Sequence, residues 1–136
     1  MDATGIYFLA RLCTCAVWTV GGIYEIFHYD HTAVKMAQHH IPWSRYVLVL
    51  VIIMKLGGSL MLITNQLVWA AALFWIIFII PATLLYHSSF HDANGSFIHA
   101  QLTQFSKNIS ILGGLLSLIL LDPDKPQWLI VLLHRM

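Results

Sequence analysis

Long apolar segments separated by short polar stretches dominate the chain. They run over about residues 5–27, 43–64, 67–86 and 101–121. Each segment is long enough to cross the roughly 30 Å hydrocarbon core of a bilayer as an α-helix. The pattern therefore predicts an all-α, polytopic membrane protein, a four-helix bundle that forms a single domain over residues 1–136.

The breaks between these segments define the topology. Only Asn65 and Gln66 separate the second and third segments, so we expect a tight antiparallel hairpin there. Four passes then place this turn and both termini at one end of the bundle, and residues 28–42 and 87–100 at the other. Lysines and arginines are shared evenly between the two ends, so the positive-inside rule leaves the orientation open.

The remaining sequence is too short or too polar to span. Residues 128–133 are apolar but few, and we expect a short C-terminal tail that lies at the membrane interface. Of the 136 residues, 59% are hydrophobic and 10% charged, with a net charge of +1. This balance indicates the lipid bilayer as a partner and disfavours nucleic acid, which requires a clustered basic surface.

Charged side chains inside the apolar segments mark the first candidate site. Glu25, Lys55 and Lys107 are costly in hydrocarbon unless they are paired or functional. Glu25 and Lys107 lie about 6 Å and 9 Å below their span ends and so match in depth, whereas Lys55 starts deeper but can reach upward. Either lysine could pair with Glu25, and the charges could also serve only to hold the helices in register. The functional interpretation is a ligand-binding pocket with Glu25, Lys55, Gln104, Lys107 and Asn108 as candidates.

Histidines are concentrated at one end of the predicted bundle, which carries seven of the eight. His87 and His91 are spaced as on one helical turn, with Asp92 beside His91, and this arrangement can chelate a metal. No HExxH motif or zinc knuckle accompanies them, and interfacial histidines are commonly just solvated. We therefore expect no metal site and keep these three residues as weak candidates. A pH-responsive surface is an equal alternative.

The last apolar segment resembles the closing helix of the DoxX family. Residues 101–108 read QLTQFSKN and residues 112–116 read LGGLL, similar to the family's Q-F-x-K-N segment followed by L-G-G-L-L. Further agreements are Arg11 in the first segment, the pair Gly57 and Gly58 in the second, and ATLLYH at residues 82–87 in the third. In this order and spacing, the resemblance covers about residues 7–121.

One departure from the family pattern concerns the buried charges. The family commonly has a lysine after the first-span glycine and a glutamate before the second-span glycines, where this chain has Glu25 and Lys55. Exchanged signs preserve an attraction between facing positions, which favours the Glu25–Lys55 pairing despite its poorer match in depth. The exchange also weakens any inherited role that requires a carboxylate on the second span.

The resemblance implies a multi-pass protein of the bacterial inner (plasma) membrane. Members of the family are associated with a thiosulfate:quinone oxidoreductase and with membrane complexes for oxidative-stress defence. By analogy, the chain would be a small subunit or anchor of a redox-linked membrane complex, with a quinone or thiol compound as ligand. Its partners would be other membrane or soluble redox subunits, or further copies of itself.

Catalysis by this chain alone finds no support in the sequence. No nucleophile–base pair, phosphate-binding loop or cofactor motif is present, so the chain is at most a subunit of a quinone-linked oxidoreductase. The alternative function is a non-catalytic membrane scaffold or small-solute carrier, in which the buried charges only specify helix packing.

Overall fold

Long membrane-spanning helices form the frame of the protein. The computed structural model describes residues 3–91 and 94–134. The helices in this part of the chain are α1 (Ala3–Phe27), α2 (Tyr29–Gln38), α3 (Ser44–Thr64), α4 (Val68–His87), α5 (His99–Leu121) and α6 (Gln127–His134). Of these, α1, α3, α4 and α5 are long and apolar enough to cross a membrane, which confirms the four-helix membrane bundle.

The spanning helices pack in the order α1, α3, α4, α5. The neighbours in this order contact each other extensively, and a smaller contact between α1 and α5 closes the bundle. α2 packs on α3 and on the end of α1. We call the end of the bundle that carries α2 and residues 88–91 and 94–98 the histidine end. The opposite end, which carries the α3–α4 turn, is the termini end.

Two stacked indole rings form the centre of the core. Trp18 of α1 and Trp75 of α4 lie 4.6 Å apart between ring centroids, and both are buried. Trp75 donates a hydrogen bond from Nε1 to the carbonyl of Met54 at 3.1 Å. Gly58 makes room for this ring, because a Cβ atom there would lie 2.8 Å from it. The small residue thus lets α3 and α4 approach closely around a large aromatic side chain.

The connection at residues 28–42 contains a helix that the hydrophobic pattern did not reveal. A single residue, His28, separates α1 from α2, and α2 buries Ala33 and Met36 against Leu48 of α3. An exposed ion pair between Asp30 and Arg45, with 2.9 Å between oxygen and nitrogen, links α2 to the start of α3. α2 is therefore a short amphipathic helix attached to the bundle.

Arg11 secures the turn at the termini end. Its guanidinium donates to the carbonyl of Leu62 at 3.1 Å and to the side chain of Asn65, the residue that ends α3 in a left-handed conformation. The side chain is 7% exposed, so it is buried against the turn. A cation at this position compensates the free carbonyls and partial negative charge of a helix C-terminus.

The C-terminal tail forms the short helix α6, which is too short to span. Leu129 is buried in the main core, and Trp128 meets Trp69 edge to face at 6.1 Å between ring centroids. Asp122, just before this helix, is buried and accepts a 2.7 Å hydrogen bond from the backbone N–H of Trp69 in the first turn of α4. The tail thus closes the N-terminal end of α4.

Candidate functional site

An ion pair between α1 and α3 lies at the centre of the candidate site. Lys55 Nζ lies 2.5 Å from Glu25 Oε1, and the two side chains are 13% and 16% exposed respectively. The two helices approach closely here because Gly21 and Gly22 face this part of α3. A Cβ atom at Gly22 would lie 2.9 Å from Leu56 Cδ2. Glu25 therefore pairs with Lys55, the partner indicated by the exchange of signs.

Lys55 reaches Glu25, despite its poorer match in depth, because the ends of the spans do not lie in one plane. Lys55 leaves α3 beside Gly22, since its Cβ atom lies 3.3 Å from where a Cβ of Gly22 would be. Glu25 lies three residues after Gly22, within the next turn of α1. The Lys55 side chain therefore needs to extend by less than one helical turn toward the histidine end to reach it. At the histidine end, α3 thus extends beyond the last residue of α1. α2 packs against this extension of α3.

A cavity of about 400 Å³ adjoins the ion pair. Its walls come from α1, α2, α3, α4 and the residues after α2: Glu25, Thr32, Lys35, Met36, Ile41, Val47, Leu48, Val51, Lys55, Phe78, Pro81, Ala82, Leu85, Tyr86 and His87. Most of these side chains are apolar, so the charged pair faces a largely hydrophobic space. The Lys55 ammonium also lies 5.4 Å from the ring centroid of Phe78, a cation–π contact.

Two polar atoms in the cavity wall are buried without a hydrogen-bond partner among the described residues. They are Glu25 Oε2 and the hydroxyl oxygen of Tyr86. Buried polar atoms in proteins are nearly always hydrogen-bonded, so each exception calls for an explanation. Glu25 and Tyr86 both line the cavity, and each holds one such buried atom.

The exposed residues of the cavity wall show which way it opens. Lys35 on α2 and Pro81 and Leu85 on α4 are exposed, whereas the other lining residues are at least half-buried. Pro81 and Leu85 lie on the membrane-spanning part of α4. The opening is thus bordered by hydrocarbon-facing side chains of α4 on one side and by the ammonium of Lys35 on the other.

The remaining pocket candidates lie on α5, and no described residue of α5 lines the cavity. Lys107 is exposed on the outer surface of the helix, and Gln104 is partly buried. Asn108 donates from Nδ2 to the hydroxyl of Thr83 at 2.8 Å, which joins α5 to α4. The structure therefore places Glu25 and Lys55 together and puts the three α5 candidates elsewhere, while a ligand-binding role stays a prediction for all five.

The histidines do not form the helical pair that their spacing suggested. α4 ends at His87, and His91 lies beyond it in an isolated antiparallel bridge with Phe97. His87 Nδ1 lies 2.8 Å from Gln101 Oε1 and so joins α4 to α5. Asp92 lies outside the described residues. Among the described residues, no group of three or more His, Cys, Asp or Glu side chains is arranged to hold a metal ion.

Comparison with known proteins identifies the family. The family model of DoxX matches residues 6–88. The chain belongs to the DoxX family. The matched residues include every residue of the cavity wall, from Glu25 to His87. They do not include residues 101–116, which resemble the closing helix of the family.

Relatives of this DoxX chain are proteins of the bacterial inner membrane. Inner membrane protein YqjF of Escherichia coli K12 is 30% identical over 115 residues, which cover 85% of this chain and 82% of the relative. Inner membrane protein YphA of the same organism is 20% identical over 118 residues, with 87% and 84% covered. No solved structure matches the chain. Together with the four candidate spans, these relatives show a multi-pass protein of the inner (plasma) membrane in contact with the lipid bilayer.

Proposed function

We propose that this DoxX-family protein binds the head group of a membrane-dissolved amphiphile, such as a quinone, as a small subunit or anchor of a redox-linked membrane complex. The observation that carries the proposal is the cavity at the histidine end, in which the Glu25–Lys55 ion pair faces apolar walls. Binding pockets for small molecules are typically apolar with a few convergent polar groups.

The size and charge of the cavity favour an uncharged head group. A volume of about 400 Å³ lies within the usual range for small-molecule sites and accommodates one ring with its substituents. Glu25 and Lys55 neutralise each other inside the cavity, and the third charge of its wall, the ammonium of Lys35, lies exposed at the opening. The interior of the site therefore carries no net charge that would attract an ion. The chain supplies no redox centre of its own in this proposal, so electrons come from a partner subunit.

A scaffold function is the second candidate, and the close approach of α1 and α3 supports it. Gly21 and Gly22 bring the helices together beside Lys55, so the ion pair could serve only to fix their register. Polar residues paired between membrane helices contribute to association in this way. A small-solute carrier would use the same charges for packing.

A labelling experiment with a filled cavity separates the two candidates. The protein in lipid nanodiscs would be exposed to a photoreactive quinone analogue in its oxidised and in its reduced form, and the labelled peptides would be identified by mass spectrometry. Ala82→Phe places a ring in the cavity, and Ala16→Phe adds the same ring at an exposed position of α1 as the matched control. We expect labelling of α3 and α4 peptides in the wild type and in the control, and its loss in Ala82→Phe. Equal labelling of the two variants would show that the cavity is not the binding site.

A further inference from the structure

We propose that the cavity selects ligands whose head group carries a hydroxyl hydrogen, which Glu25 Oε2 accepts while the Tyr86 hydroxyl donates to the oxygen of the same group. The inference rests on the proposed function and adds to it the chemical form of the ligand. It predicts discrimination between two molecules that differ only in a hydrogen-bond donor.

The carboxylate of Glu25 sets the preference for a donor. Its Oε1 atom is engaged by Lys55, whereas Oε2 is buried and has no partner in the described part of the chain. An ionised carboxylate accepts hydrogen bonds and cannot donate them. A ketone or ether oxygen placed against Oε2 would bring two acceptors together. A hydroxyl group there satisfies the carboxylate with a charge-assisted hydrogen bond.

The hydroxyl of Tyr86 completes the arrangement. It lies in the same cavity wall and is also buried without a partner among the described residues. A tyrosine hydroxyl can both donate and accept, so it adapts to whichever oxygen is present. In the proposed arrangement, one ligand hydroxyl donates to Glu25 and accepts from Tyr86, so that a single group satisfies both buried atoms.

Neighbouring charge and the apolar walls restrict the ligand further. Because Lys55 already neutralises Glu25, a cationic head group would find no unpaired negative charge in the cavity. An anionic head group would be repelled by Glu25 Oε2. The opening beside Pro81 and Leu85 lets an apolar chain remain in the hydrocarbon along α4. The ligand class is thus an uncharged phenol or alcohol with a long apolar chain. For a quinone, the reduced form with its two hydroxyl groups would bind more tightly than the oxidised form.

A matched pair of ligands provides the test. A long-chain 4-alkylphenol and its methyl ether have nearly the same shape, but only the phenol carries the donor. Both would be titrated by calorimetry into nanodiscs with and without the protein, and the affinities would be expressed per mole fraction in lipid to remove differences in partitioning. We expect the phenol to bind roughly tenfold to a hundredfold more tightly, since the ether leaves a buried charged acceptor unsatisfied.

Variants assign the preference to the two side chains. Glu25→Gln can donate to an ether oxygen, so the affinity ratio of phenol to ether should fall toward one. If that variant does not fold, Tyr86→Phe serves instead, because it removes only the hydroxyl and should weaken binding of the phenol. Tyr24→Phe, at an exposed tyrosine of α1 outside the cavity wall, is the matched control and should leave both affinities unchanged.

The outcomes separate this inference from the function on which it rests. Equal affinities for phenol and ether, both abolished by Ala82→Phe, would overturn the selection of a donor and leave the cavity as a binding site. Failure of both compounds to bind would overturn both proposals. A phenol preference that persists unchanged in Tyr86→Phe and Glu25→Gln would place the discrimination outside this cavity and overturn the inference.

Discussion

The two ends of the bundle use buried charge in different ways. At the termini end, Arg11 and Asp122 form hydrogen bonds with backbone groups at helix ends, with the carbonyl of Leu62 and the N–H of Trp69 respectively. At the histidine end, Glu25 and Lys55 pair with each other across two helices and face a cavity. Charge that meets helix ends stabilises the fold, whereas the Glu25–Lys55 pair joins two helices and also borders a cavity.

The hydrogen bonding of neighbouring groups shows the same difference. Around Asp122, a second backbone N–H, that of Asp124, donates to the carboxylate at 3.0 Å, so both of its oxygens are used. Around Glu25, only one oxygen is used. The carboxylates of Asp122 and Glu25 are therefore structurally unlike: the fold satisfies both oxygens of Asp122 but only one oxygen of Glu25.

The largest expected effect comes from removing the carboxylate of the ion pair. Glu25→Ala leaves the Lys55 ammonium buried without its partner and should destabilise the protein by about 3–5 kcal/mol. Folded yield by gel filtration and melting temperature in detergent would measure the loss. The double exchange Glu25→Lys with Lys55→Glu restores an opposite pair and should recover most of the stability. If Glu25→Ala had the same folded yield and melting temperature as the wild type, the ion pair would not be what stabilises the histidine end.

A smaller effect is expected at the opposite end from Arg11→Met. This change keeps much of the side-chain volume but removes the charged hydrogen bonds to Leu62 and Asn65, at a cost of about 1.5–3 kcal/mol. Thermal unfolding would report the loss of stability, while photolabelling of the cavity should remain as in the wild type. Loss of labelling in a variant that still folds would show that the two ends are coupled rather than separate in function.

Asp122→Asn should have a smaller effect again. The single amide oxygen can still accept from the N–H of Trp69, but the acceptor for the N–H of Asp124 and the negative charge at the N-terminal end of α4 are lost, which costs about 1–2 kcal/mol. Asp124→Asn changes an exposed carboxylate nearby and is the control. The melting temperature should fall more for the buried position than for the exposed one. Equal shifts would mean that long-range charge, and not the cap on α4, determines the effect.

The smallest effect is expected from Lys107→Gln. Lys107 is exposed on α5, and the described residues of that helix do not line the cavity. Stability should change by no more than about 0.5 kcal/mol, and photolabelling of α3 and α4 should be unchanged. A clear loss of labelling would show that α5 contributes to the site, in agreement with the wider pocket predicted from its sequence.

The spans were predictable from sequence because length and hydrophobicity alone decide which segments can cross a bilayer. The partner of Glu25 was not predictable from depth, since the helices end at different levels. The sign of the charge at both positions is opposite to that of the family pattern. Such a double exchange preserves an attraction when the two positions face each other, and it therefore indicated the correct pair, Glu25 and Lys55. α2 was not predictable from the hydrophobic pattern, because its one buried stripe, from Ala33 to Met36, is too short to distinguish a helix from a polar connection.

The pocket candidates on α5 show what a motif cannot provide. The segment QLTQFSKN indicates a helix of the family, but not which of its sides faces the bundle interior. Lys107 lies outside, and Asn108 is used to join α5 to Thr83. Tyr86 stands out in the sequence only as part of a family motif, because nothing there shows that its hydroxyl is buried or that the residue lines the same cavity as the ion pair. These facts depend on how the helices rotate against each other, and only the three-dimensional packing sets that rotation.

The restriction of the cavity wall to residues between Glu25 and His87 has a practical consequence. The cavity wall is encoded by one uninterrupted stretch of sequence, and the described residues of α5 and α6 do not line it. A fluorophore at the exposed Ser117 of α5 would therefore test the proposed ligand binding without altering the cavity. The same separation keeps the outer face of α5 apart from the cavity wall.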